Sequence, residues 1–140
     1  VVEKAVVGRE IECAVLGNGS RIEASCVGEI IAAAEFYDYD AKYNNSESKT
    51  VVPAVISKEK QDEIRNMAVK VFKAVDGSGL ARVDFFVENE TENVIFNELN
   101  TLPGFTPISM YSMLWSACGK PMNVLLDELI DLALEKFGCK

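Results

Sequence analysis

The chain has 140 residues, 49% of them apolar and 26% charged, with a formal net charge of -8 and no histidine. That length suits one domain with a sizeable core, and the composition excludes a fibrous or disordered chain. The acidic balance argues against nucleic acid or an anionic membrane as partner, since both need a basic patch; an anionic ligand must be met locally by a metal ion, a few basic side chains or backbone amides.

Residues 1–7 are apolar apart from Glu3 and Lys4 and read as a strand, and residues 9–16 alternate through Ile11, Cys13 and Val15 as a second. Gly17-Asn18-Gly19-Ser20 is a turn signal, after which residues 21–26 return as an antiparallel third strand. For Glu3, Glu10 and Glu12 a solvated strand face is the expectation that outweighs a functional role. Residues 36–50, FYDYDAKYNNSESKT, are polar and aromatic with little periodicity. Long loops of this kind are often lids or binding loops. Lys42 and Tyr43 are its most chemically useful members, while Phe36, Tyr37 and Tyr39 suit anchoring.

Ser57 is a fair N-cap for a helix running to Val75, whose stripe of Ile64, Met67, Ala68, Val71, Phe72 and Val75 packs on a sheet. Gly77-Ser78-Gly79 ends it. Two alternating segments follow, ARVDFF and VIFNELN, joined by the polar stretch 88–93. Arg82, Asp84 and Phe86 share one face of the first with Leu80; Val94, Phe96, Glu98 and Asn100 are assigned to one face of the second. Pairing Phe86 with Phe96 sets Asp84 opposite Glu98 and Arg82 opposite Asn100. Like charges side by side on neighbouring strands are destabilising, so a cation between them is the functional expectation. The donors are hard oxygens, which suits Mg²⁺ completed by water and phosphate. Arg82 is placed to meet phosphate or a developing negative charge. A solvated polar face with paired or screened charges is the competing expectation.

Pro103, Gly104 and Pro107 in TLPGFTPIS make a loop after the second of these strands, where Gly104 lets backbone approach a ligand and Thr101, Thr106 and Ser109 offer hydroxyls. A short helix spans 109–118, and Pro121 opens another whose stripe of Met122, Leu125, Leu126, Leu129, Ala133 and Phe137 faces inward while Asp127, Glu128 and Asp131 face water. Cys13, Cys26, Cys118 and Cys139 have no C-x-x-C spacing. Without histidine a zinc site is not expected, and buried free thiols in a reducing cytoplasm are. No leader pattern and no apolar run of about 18 residues is present, so neither export nor a membrane span is expected.

From VVEK through FYDYDAKY, ARVDFF and NELNTLPGFTPIS to the final helix, the chain resembles the C-terminal half of the D-alanine-D-alanine ligases, ATP-grasp enzymes of peptidoglycan synthesis. The resemblance implies an α/β (α+β) fold, an antiparallel sheet backed by helices, with residues 1–140 as the C-terminal lobe of an ATP-grasp domain. It implies ligation of two D-alanine molecules through a D-alanyl phosphate in the cytoplasm, with ATP as co-substrate and two Mg²⁺ ions, which Mn²⁺ could replace. By resemblance Asp84, Glu98 and Asn100 are the metal ligands, and Arg82 with the backbone of Gly104 stabilises the tetrahedral intermediate. Ser109 holds the second substrate's carboxylate, and Lys42 and Tyr43 belong to the closing loop. Glu3, Lys4 and Val6 frame adenine, Glu10 binds ribose, and Phe36 lies near adenine. A homodimer is compatible with this family. The family's N-terminal substrate domain and phosphate-binding lysines are absent from these residues, so the chain by itself is expected to be inactive. A folded binding or self-associating module, or a ligase with a different acceptor, are the alternatives.

Overall fold

The computed structural model describes residues 2–31 and 48–138. Strands Gly8–Asn18 (β1), Arg21–Ile31 (β2), Lys49–Val51 (β3), Gly79–Glu88 (β4) and Val94–Asn100 (β5) form one antiparallel sheet in the order β3-β2-β1-β4-β5. Helices Lys58–Ala74 (α1), Met110–Ala117 (α2) and Met122–Phe137 (α3) pack against it. The expected antiparallel sheet backed by helices is what the chain builds.

Alternation along β1 divides the molecule into two layers. Ile11, Cys13 and Val15 point to one face, where they meet Val83 and Phe85 of β4 and Ile64, Ala68 and Phe72 of α1. Ala14 and Leu16 point to the other, under Met110, Tyr111, Leu114 and Trp115 of α2 and Leu125 of α3. Burying a large aliphatic or aromatic side chain contributes roughly 1.5–3 kcal/mol, so both layers help hold the helices on the sheet. The hairpin between β1 and β2 turns at Gly19 and Ser20, with Asn18 paired to Arg21. Gly17 must be glycine: its φ is 139°, and a Cβ there would stand 2.0 Å from the Arg21 carbonyl oxygen.

A bulge interrupts the β1–β2 ladder, because Cys13 pairs with Val27 but Val15 pairs with Ala24. Ala14 therefore faces Ser25 and Cys26 together. The Ser25 hydroxyl accepts from the Ala14 N–H at 3.0 Å and donates to the Cys26 carbonyl at 2.6 Å, standing in for the missing ladder bond. Helix α1 begins where expected, the Ser57 hydroxyl accepting from the Lys60 N–H at 3.1 Å. It ends through Asp76, at φ 53°, and a Gly77 N–H to Phe72 carbonyl bond of 2.9 Å.

Several expectations change, among them that of buried thiols: Cys13 is buried, but Cys26 is half-buried and Cys118, at the end of α2, is exposed. Residues 2–7 carry no regular structure and β1 starts at Gly8. An apolar run becomes a strand only beside a partner, and β4, which pairs with β1, ends at Glu88, opposite Gly8. The second hairpin strand continues past Cys26 to Ile31, and Lys49 and Thr50, assigned to the long loop, pair with it as the edge strand β3. Val75 is the C-cap of α1 and is 56% exposed instead of completing its stripe. On α3 the inward face is Met122, Leu125, Leu129 and Leu132, whereas Leu126, Ala133 and Phe137 are exposed. Helix α3 is apolar on more than one side, and its rotation is set by the layer beneath it.

Candidate functional site

Only part of the second face is covered by α2 and α3. Beyond Ala14, β1 continues on that face with Glu12 and Glu10, and β4 continues beyond Leu80 with Arg82 and Asp84. The register places Glu12 opposite Asp84 and Asp84 opposite Glu98, so three carboxylates form one row across β1, β4 and β5. In the adjacent row Arg82 lies between Ala14 and Asn100. Facing Cβ atoms in such pairs are about 4.5–5.5 Å apart.

A second bulge, in β5, follows immediately. Asp84 pairs with Glu98 but Phe85 pairs with Phe96 and Phe86 with Ile95, so the expected pairing of Phe86 with Phe96 does not occur. The extra residue, Asn97, reverses the alternation. Val94 and Phe96 consequently turn to the α1 face, where Phe96 meets Phe85 edge-on at 6.2 Å, instead of sharing a face with Glu98 and Asn100. The bulge lies past Glu98, so the pairings of Arg82 and Asp84 stand as the alternation suggested.

Arg82 organises the row. Its guanidinium forks onto Asp84, Nε to Oδ1 at 2.8 Å and Nη2 to Oδ2 at 2.7 Å, and Nε also lies 3.2 Å from Oε2 of Glu12. Asp84 is 2% exposed and Glu12 5%. The Nε proton is committed to Asp84, leaving Glu12 Oε2 buried with no hydrogen-bond partner. Burial first, and the neighbouring Asp84 second, push the Glu12 carboxyl up to about 7, against the pull of Arg82. Glu10 is raised in the same direction, again by burial and then Asp84. The Asp84 hydrogen bond raises Arg82, which stays charged.

Glu10, Glu12, Asp84 and Glu98 thus stand, among the described residues, against a single guanidinium, an imbalance that a cation would relieve. Among the described residues no three Asp, Glu or Cys are grouped so as to hold a metal ion by themselves. The donor set instead fits an open Mg²⁺ site, which takes one or two carboxylates and fills its remaining positions with water and phosphate. Asp84 faces the row, Glu98 is exposed beside it, and Asn100 Oδ1 accepts from the Leu102 N–H at 3.0 Å while keeping a second lone pair.

The Asn100–Leu102 turn leads into the loop containing exposed Gly104. A Cβ on Gly104 would lie 3.1 Å from the Ser109 hydroxyl. Ser109 is the N-cap residue of α2 by backbone geometry, yet its hydroxyl does not cap the helix; it accepts from the Thr106 N–H at 3.1 Å and bonds the Thr106 hydroxyl at 2.8 Å. Glu3 and Lys4 are exposed and Val6 is half-buried, all in the irregular segment before β1 and apart from the row. Phe36, Lys42 and Tyr43, with the lid expected around them, lie outside the described residues. A cavity of about 560 Å³ between the β1–β2 hairpin and α3, lined by Leu16, Arg21, Glu128 and Leu132 among others, includes none of the expected site residues.

Glu12 was expected on a solvated face, and the structure buries it. The signal was available in β1 itself: Ala14 and Leu16 occupy the same face, so that face is covered at one end, and an acid next to the cover is desolvated.

A sheet face covered at one end that continues into a row of acids around a forked arginine defines an α+β lobe with a charged site at the edge of its core. The family model described as the D-ala D-ala ligase C-terminus matches residues 1–131. The D-alanine–D-alanine ligase of Acetivibrio thermocellus is 56% identical over 138 residues, 99% of this chain and 36% of that protein. Among solved structures, the D-alanine-D-alanine ligase of Coxiella burnetii superposes with a TM-score of 0.81 at 43% identity, covering 96% of this chain and 34% of the other. The ligase of Bacillus anthracis complexed with ATP gives a TM-score of 0.77 at 27% identity, covering 95% and 40%. The chain belongs to the D-alanine-D-alanine ligase family and corresponds to its C-terminal part. It spans little more than a third of the length of these relatives.

Proposed function

We propose that this chain is the C-terminal part of an ATP-dependent ligase that joins two D-alanine molecules through a D-alanyl phosphate, in the cytoplasm where ATP is supplied. The observation that carries the reading is Arg82, forked onto Asp84 beside Glu12, in the row next to Asn100 in a chain so similar to these ligases. Asp84, Glu98 and Asn100 would hold Mg²⁺, and one or two such ions would neutralise phosphate charge during phosphoryl transfer.

The chain's own groups then have distinct tasks. When the amine of the second D-alanine attacks the acyl phosphate, the carbonyl oxygen gains negative charge. Arg82 is already oriented by its two hydrogen bonds to Asp84, with Glu12 3.2 Å from its Nε, so it can meet that charge without reorganisation. The N–H of Gly104 would be a second donor. Ser109 would hold the second substrate's carboxylate, and Lys42 and Tyr43 would close over the reacting groups. Glu10 would bind ribose, with Glu3, Lys4, Val6 and Phe36 around adenine. Glu12 acts as a positioning residue behind Arg82.

Phosphate release by the family-length protein, followed with and without D-alanine, tests the reading. Release that requires both ATP and D-alanine, with the dipeptide as product, is expected. Release indifferent to D-alanine would overturn it. The 140-residue chain alone is expected to give no turnover, since it spans about a third of its relatives.

A further inference from the structure

Two thiols meet at the β1–β2 bulge, outside the acid row. Cys26 sits at the bulge of β2, and Cys118 is the C-cap of α2, 92 residues later. The Cys26 N–H donates to Cys118 Sγ at 2.8 Å, and the Cys26 thiol donates to the Leu114 carbonyl, in the last turn of α2, at 3.4 Å. One residue therefore grips the end of α2 twice. With an N–Cα bond of about 1.46 Å, Cys118 Sγ is within about 4.3 Å of the Cys26 Cα, so the two thiol side chains are direct neighbours.

The bulge makes this approach possible. In an unbroken ladder the Cys26 N–H would pair with β1; here the Ser25 hydroxyl serves Ala14, and the Cys26 N–H is turned to the sulfur. The two thiols differ in character. Cys118 is exposed, whereas Cys26 is half-buried and its thiol is pushed up to about 12, by burial and then by its hydrogen bond with Cys118. Cys13 belongs to the opposite layer and is fully buried. Cys118 is the member of the pair open to a solvent oxidant, and Cys26 qualifies as its resolving partner by proximity, its own backbone N–H lying 2.8 Å from the Cys118 sulfur.

We propose that Cys26 and Cys118 are a modification site: a dithiol that takes a hydroperoxide and closes into an intramolecular disulfide between β2 and the end of α2. The Cys118 sulfur attacks the peroxide, the O–O bond breaks, and water or an alcohol leaves, giving a sulfenic acid. The Cys26 sulfur then attacks the Cys118 sulfur, the S–O bond breaks, and the hydroxyl leaves as water with the Cys26 proton. Two thiols are oxidised and one peroxide is reduced. The bridge pins the far end of the helix whose first residue follows Ser109, and it holds whether or not the chain serves a ligase.

The test is hydrogen peroxide treatment of the chain, alkylation of remaining thiols, and peptide mapping. The four cysteines lie in four different tryptic peptides, so every pairing is distinguishable. Loss of two alkylatable thiols, a Cys26–Cys118 linked peptide and full reversal by dithiothreitol are expected. Cys26→Ser should abolish the linkage and carry Cys118 on to the sulfinic or sulfonic acid, and Cys118→Ser should leave Cys26 reduced. Both thiols remaining alkylatable, Cys118 over-oxidising in the unmodified chain, or linkage only between two chains would overturn the proposal.

Discussion

Replacing Glu12 with glutamine separates the cost of its burial from its service to Arg82. The side chain keeps its shape, so packing against the row is retained. In the folded chain the Glu12 carboxyl is raised from 4.5 to about 7, which means the folded state holds a proton that the unfolded state has released. Stability must therefore fall as pH rises from the ordinary carboxylate range to about 7, then level off. At about 1.36 kcal/mol for each pH unit between the two values, the span is worth at most about 3 kcal/mol, or roughly 10 °C in melting temperature for a domain of this size. Other carboxylates titrate in both proteins, so the difference between their curves isolates Glu12. Thermal unfolding of the two proteins between pH 5 and pH 8, with chelator present, should show Glu12→Gln gaining on the unmodified chain by about this amount as pH rises. Parallel curves would refute the reasoning, because Glu12 would then be ionised throughout and its burial fully compensated by Arg82.

Other perturbations probe the remaining elements. In the family-length protein, Arg82→Ala should lower turnover by about 10²–10³-fold with the KM for ATP little changed, since the charge is needed when the oxyanion develops; equal effects on both constants would point to a binding role. Asp84→Asn or Glu98→Gln should raise the Mg²⁺ concentration needed for half-maximal turnover, partly rescued by excess metal, and an unchanged metal requirement would remove them as ligands. Gly77→Ala should destabilise the chain by about 1–3 kcal/mol in denaturant unfolding, because its Cβ would come 2.6 Å from the Phe72 ring, itself fully buried against the sheet. A neutral result there would mean that the helix end shifts freely.

Local pattern was enough wherever the cause is local. The Ser57 cap, the stripe of α1, the glycine hairpin and the alternation of ARVDFF each follow from residues within a turn or a strand of one another. The placement of Arg82 and Asp84 on one face belongs here too, because period-two alternation needs no partner to establish it. Long motifs in order, from ARVDFF to NTLPGFTPIS, were also enough to point to the family.

The tertiary structure decided what depends on a neighbour distant in sequence. Residues 2–7 looked as apolar as a strand, but strand formation needs backbone partners, and β1 starts only where Glu88 stands opposite it. Two single-residue bulges, at Ser25–Cys26 and at Asn97, reverse the direction of side chains without any mark in the alternation before them. One of them sends Phe96 to the α1 layer, and the other turns the Cys26 N–H toward Cys118. Glu12 became a member of the acid row only because β4 carries Asp84 to its side and α2 with α3 cover the adjoining end of the face. Desolvation is a property of what surrounds a residue, so the apolar neighbours of Glu12 in β1 hint at it but packing and register decide it.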